Sequence, residues 1–116
     1  MERFGIPRIF FKQTFLMLVT SVPEKDLGRV RFGKPNGFTF PVQNDGTHSL
    51  EITKTIVSCG SCTTAVAAKK KLAAGESTDI RVTFTPGSLG KQKKHVDIVW
   101  NGSQVLRLVF TAESYE

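Results

Sequence analysis

Ser77-Thr78-Asp79-Ile80-Arg81-Val82-Thr83-Phe84-Thr85-Pro86-Gly87 is the most regular stretch of the chain. Ile80, Val82 and Phe84 fall on one side of an extended backbone, and Asp79, Arg81, Thr83 and Thr85 fall on the other. Successive side chains of a strand point to opposite faces, so this two-residue period specifies a strand with one apolar and one solvated face. Pro86-Gly87 ends it, because proline cannot donate to a ladder and glycine admits the turn. On the other side, Ala73-Ala74-Gly75-Glu76 is the turn that leads in.

The same pattern extends in both directions. Downstream, the basic loop Gly90-Lys91-Gln92-Lys93-Lys94 leads to Val96, Ile98 and Trp100, alternating with Asp97, Val99 and Asn101. Asn101-Gly102 is the dipeptide of a type I′ hairpin, and the return strand carries Leu106, Leu108, Phe110 and Ala112. Upstream, Val30 and Phe32 alternate with Arg29, Arg31 and Gly33, and Lys34-Pro35-Asn36-Gly37 turns the chain into Phe38, Phe40 and Val42. Pro41 marks that strand as an edge or a bulged strand. After the turn Asn44-Asp45-Gly46, Leu50 and Ile52 alternate with Glu51 and Thr53, and Ile56-Val57 breaks the phase. Thr63 to Leu72 shows little alternation, and no segment has a helical period. About seven short strands, spaced roughly eight to twelve residues apart, predict an all-β fold, an immunoglobulin-like antiparallel β-sandwich over residues 25–116.

Length and composition agree with a single domain of this kind. At 116 residues the chain has room for one core. Its 40% hydrophobic and 22% charged residues exclude a disordered tail or a collagen-like rod. No apolar run is long enough for a membrane-spanning helix. The net charge of +6 fits an anionic partner without choosing among nucleic acid, lipid and an acidic protein surface.

From Lys25 to about Ala112 the chain carries, in order, Asp26-Leu27-Gly28-Arg29-Val30, Phe38-x-Phe40-x-Val42-x-Asn44-x-Gly46, Leu50-x-Ile52, Ser58-Cys59-Gly60-Ser61-Cys62-Thr63, Gly75-Glu76-Ser77, Ile80-x-Val82-x-Phe84, Gly90 and Asn101. This order of motifs resembles the domain of unknown function 1573 family, a group of immunoglobulin-like modules related to the ASH and major-sperm-protein type of β-sandwich. Ser61 is an extra residue relative to the family's usual Cys-Gly-Cys-Thr. The resemblance implies a fold and a binding or structural role. Variants with Cys-Gly-Ser-Cys-Thr and Phe-Thr-Pro-Gly-Ser also look like small proteins carried by bacteriophages.

Chemistry-bearing motifs are sparse. Cys59 and Cys62 have the spacing of a thioredoxin-type redox pair, but no helix signal follows to stabilise a thiolate, so they are expected to be structural thiols or a short local disulfide. A zinc site would need His48 and His95 to complete it, and no metal or other cofactor is expected. The runs Lys69-Lys70-Lys71 and Lys91 to His95 lack interleaved aromatics, so a solvated loop is expected rather than a nucleic-acid surface. Asn101-Gly102-Ser103 matches a glycosylation sequon, although the hairpin turn explains the dipeptide. No nucleophile elbow or comparable arrangement positions Ser, His and Asp for catalysis, and the chain is expected not to be an enzyme.

Residues 1–24 read as an apolar N-terminal arm. Phe10, Phe11, Phe15, Leu16 and Leu18 supply a protein-interaction surface suited to strand addition on a neighbour's sheet edge. On that reading the protein is a virion structural component of a tailed bacteriophage, a head-decoration, neck or tail protein present in multiple symmetric copies. The alternative is an exported envelope binding protein of the periplasm or cell surface. Arg3, Arg8 and Lys12 precede the apolar stretch Thr14 to Val19, and Val19 and Ser21 are placed like the small residues before a signal-peptidase cut, so the first 21 residues would be removed.

Overall fold

The alternating runs become nine strands in two facing sheets, in a computed structural model that describes residues 17–116. The strands are β1 (Leu18–Val19), β2 (Glu24–Arg31), β3 (Asn36–Asn44), β4 (Leu50–Val57), β5 (Thr63–Ala67), β6 (Lys71–Leu72), β7 (Ser77–Phe84), β8 (Gly90–Trp100) and β9 (Gln104–Tyr115). One sheet has the order β1-β3-β7-β5 and the other β2-β9-β8-β4-β6. Setting aside the two-residue strands β1 and β6, seven longer strands remain, in line with the alternation.

Apolar positions of one parity close the space between the sheets. Phe40, Ile80, Phe84, Val96, Ile98, Leu108 and Phe110 have no exposed surface. Phe38, Phe84 and Phe110 meet edge to face, with centroids 5.0 Å apart for Phe38–Phe110 and 5.2 Å for Phe84–Phe110, the arrangement that ring quadrupoles favour. The opposite parity of β7, including Asp79, Arg81 and Thr83, is exposed.

Three local departures have physical causes. The ladder between β4 and β8 shifts between Ile52 and Lys54, and the Thr53 hydroxyl donates to the Val99 carbonyl at 3.1 Å. This bulge inverts the face that follows, which is why Ile56 is outward and 46% exposed. In β5 the buried positions are Thr63 and Ala67, so small residues make a genuine two-residue period faint in the sequence. Pro41 stands in β3, and its carbonyl accepts from the Thr20 hydroxyl at 2.6 Å on the side away from β7. Its missing N–H points to that same outer edge, so no bond to β7 is lost.

One sequence expectation is corrected. The sandwich is not antiparallel throughout, because β2 runs parallel to β9. The chain leaves β1 in one sheet, crosses at Ser21 to Pro23, and enters the other sheet alongside a strand from the far end of the sequence. No hairpin turn joins these two strands, so their direction has no local signature. The predicted hairpin at Asn101-Gly102 is present, both residues having positive φ, 49° and 80°, although the loop takes in Ser103 as well because Trp100 pairs with Gln104.

Candidate interaction site

The N-terminal arm was expected to begin the interaction surface, and the structure moves its boundary. Leu18 pairs with Asn44 and Val19 with Gln43, and Asp45 N–H donates to the Met17 carbonyl at 2.8 Å. Leu18 is only 4% exposed and belongs to the core of its own sandwich. It is therefore not a docking residue, because pairing with β3 puts this side chain between the sheets. The sandwich starts at Leu18 rather than Lys25, and Phe10, Phe11, Phe15 and Leu16 lie outside the described residues.

This segment covers an exposed sheet edge. β3 would be bare beyond the two residues of β1, yet Thr20 caps the Pro41 carbonyl and Lys25 Nζ donates to the Thr39 carbonyl at 2.8 Å. Both side chains satisfy acceptors that would otherwise template another strand. Met17 stands at this edge, beside the turn at Asp45.

Cys59 and Cys62 form a disulfide in the turn that carries the chain from β4 in one sheet to β5 in the other. Of the alternatives the spacing left open, the local link is the one observed. Two backbone bonds hold the same turn: N–H of Cys62 and N–H of Thr63 both donate to the Cys59 carbonyl, at 3.4 and 3.0 Å. Closing so small a ring removes little unfolded-state entropy. Replacing both cysteines by Ser should lower stability by at most about 2 kcal/mol and leave the fold intact, as read by thermal melts with and without reductant. Melting temperatures that collapse on substitution would contradict this.

The two histidines are placed apart, His48 in the turn between β3 and β4, and His95 in β8 beside Ser58. Among the described residues no group of three or more His, Cys, Asp or Glu side chains could hold a metal ion. The two lysine runs also separate. Lys69 pairs with Glu76, whose carboxyl is held below its usual range by that hydrogen bond and by the Ala73 N–H. Lys91, Lys93 and Lys94 lie along the first half of β8. On the outer face of the same sheet, Arg107 forks onto Asp97 with contacts of 2.8 and 2.9 Å, which lowers the Asp97 pKa and raises that of Arg107.

Sequence reading missed one surface. Arg29 and Arg31 of β2 lie over the ring of Tyr115 in β9, at 4.4 and 5.5 Å from its centroid. They share an outward face with Lys91 and Lys93 of β8. Arg29 and Arg31 were legible as outward strand positions, but Lys91 and Lys93 read as a solvated loop and instead belong to β8, and the parallel pairing that gathers the four has no local signature.

Comparison with known proteins places this architecture. A family model described as protein of unknown function (DUF1573) matches residues 18–114. A Porphyromonas gingivalis W83 protein of unknown function is similar in structure, with a TM-score of 0.71 at 18% identity, covering 95% of this chain and 53% of that one. The chain therefore spans about half the length of that relative. Human CEP192 ASH/PapD-like domain 7 gives a TM-score of 0.61 at 12% identity, covering 90% of this chain and 87% of that one. The Caenorhabditis elegans major-sperm-protein family member WR4 gives 0.56 at 9%, with coverages of 89% and 100%. At these identities the likeness shows the fold alone. No curated protein sequence matches the chain.

Proposed function

The chain belongs to the DUF1573 family of proteins of unknown function, and from that premise we propose that it is a non-enzymatic structural and interaction module. The observation that carries this reading is the seating of β1 at a sheet edge, directly after the apolar residues Phe10, Phe11, Phe15 and Leu16 in the sequence. Burying such side chains is worth about 1.5–3 kcal/mol each, which favours a docked over a solvated arm. The specific role is that of a virion component of a tailed phage, a head-decoration, neck or tail protein in symmetric copies. The variant Cys-Gly-Ser-Cys-Thr and Phe-Thr-Pro-Gly-Ser motifs support it.

The second reading, an exported envelope protein of the periplasm or cell surface, draws on the disulfide, since such links persist in oxidising surroundings. Against it stands the position of the cut. Removal after Ser21 would take away β1, the buried Leu18 and the Thr20 cap on Pro41. The intact mass of the native protein separates the two, and the virion reading requires residues 1–21 to be retained.

Deleting residues 1–16 should leave the sandwich folded and abolish its multi-copy assembly, measured by sedimentation velocity and by incorporation into the parent particle. Deleting residues 1–21 should in addition destabilise the domain, because β1 goes with it. Normal assembly of the shorter deletion would remove the arm from the docking role.

A further inference from the structure

On the outer face of the β2-β9-β8 sheet, cross-strand register sets Arg31 beside Tyr115, Arg29 beside Glu113, and Asp26 beside Thr111. On the other flank of β9, Lys91 stands beside Glu113 and Lys93 beside Thr111. The cations therefore form two columns, Arg29 and Arg31 on β2 and Lys91 and Lys93 on β8, with β9 between them. At 4.7–4.9 Å per strand the columns stand roughly 9.5 Å apart, and within each the charges repeat about every 6.7 Å. Between them lies a depression of about 390 Å³. Small residues make it: Thr111 on β9, and Gly28, whose φ of +73° marks the bulge in β2 and beside which the space is open.

Among the described residues, none of these four cations is in an ion pair: the side-chain ion pairs there are Lys69–Glu76 and Asp97–Arg107. Asp26, although in the groove, uses Oδ1 to accept from the Gly28 N–H at 2.8 Å. Both guanidiniums are steadied by the Tyr115 ring, which leaves their N–H edges to fork onto a carboxylate.

We propose that this groove binds an extended acidic segment of a partner protein. In an extended peptide alternate side chains point to opposite sides and repeat at the spacing of the columns, so successive Glu or Asp residues reach β2 and β8 in turn. A polypeptide fits better than a nucleic acid. The aromatic ring beside the groove is covered by arginines instead of being open to stack on bases. The net charge of +6 disfavours a second copy of this chain as the occupant. This deepens the interaction-module reading by naming a second contact, and its failure leaves the arm untouched.

The test is fluorescence anisotropy of a labelled decaglutamate peptide with the whole chain at low salt. Lys91→Glu with Lys93→Glu should weaken binding about tenfold or more, whereas Lys69→Glu with Lys70→Glu, the same change of net charge at the far end of β8, should weaken it less than about threefold. Thermal melts check folding, and Lys91→Gln with Lys93→Gln substitutes if the charge reversal unfolds the domain. A thymidine decanucleotide should compete about tenfold more weakly than unlabelled peptide. Absence of peptide binding, equal losses in the two double variants, or equal competition by the oligonucleotide would overturn the proposal.

Discussion

Replacing Phe84 by Ala is expected to cost about 3–5 kcal/mol of unfolding free energy, a large share of the 5–15 kcal/mol typical of a domain. The side chain has no exposed surface and packs edge to face on Phe110 across the sandwich. Its strand, β7, is held on both sides, with Phe84 opposite Asn36 in β3 and Thr63 in β5. A backbone pinned by two neighbours cannot collapse into the space the ring leaves, so the cavity persists and adds to the lost transfer energy. Arg81 is on the other face of the same strand and is exposed, and its replacement by Ala should fall within about 0.5 kcal/mol. A denaturant titration of the two variants makes the comparison, and equal effects would refute the assigned phase of β7.

Asn44→Ala should be the most damaging polar substitution, costing at least about 2 kcal/mol. Asn44 is fully buried at the end of β3. Its Nδ2 donates to the carbonyls of His48 at 2.8 Å, Leu72 at 3.0 Å and Ala73 at 3.2 Å, and its Oδ1 accepts from the Gly46 N–H at 3.0 Å. One amide thus ties the turn after β3 to β6 and to the turn that enters β7. Without it, the buried Leu72 carbonyl loses its side-chain donor where water cannot readily take its place, and the part-buried bonds to His48 and Ala73 are lost with it. Asn44→Asp probes the same point differently, because a carboxylate would face the carbonyl oxygens. Its charged form is disfavoured in the folded state, so the folded pKa is raised and the variant regains stability as pH falls. Chemical denaturation across the acid range reads this, and a pH-independent Asn44→Asp cost would contradict the donor role.

Asn44 shows where sequence reading stops. Within Asn44-Asp45-Gly46 it read as a turn residue, which it is, since Oδ1 makes the turn bond to Gly46. The same dipeptide chemistry is found at many exposed turns. The bonds to Leu72 and Ala73 join residues 28 and 29 positions away, and no local pattern encodes them. Leu18 is the converse case. Its apolar character was plain, and it was assigned to the arm because a two-residue strand is too short to display a period.

For the strongly alternating runs the sequence alone determined the strand and its buried face, because the two-residue alternation of side chains is a property of the extended backbone and survives any choice of partner. Phe40, Ile80, Val82, Phe84, Ile98, Leu108 and Phe110 all lie inside as their periods require. The Asn101-Gly102 hairpin was legible for the same reason, since its φ requirement acts within two residues. Tertiary structure decided which strands are neighbours. It paired β2 with β9 in parallel, closed Cys59 onto Cys62, placed Leu18 under β3, and set Arg29 and Arg31 across β9 from Lys91 and Lys93. Backbone N–H and C=O groups are the same in every residue, so a ladder carries no address of its own. The partner is selected by the packing of the whole core and by the directions in which the connections can run.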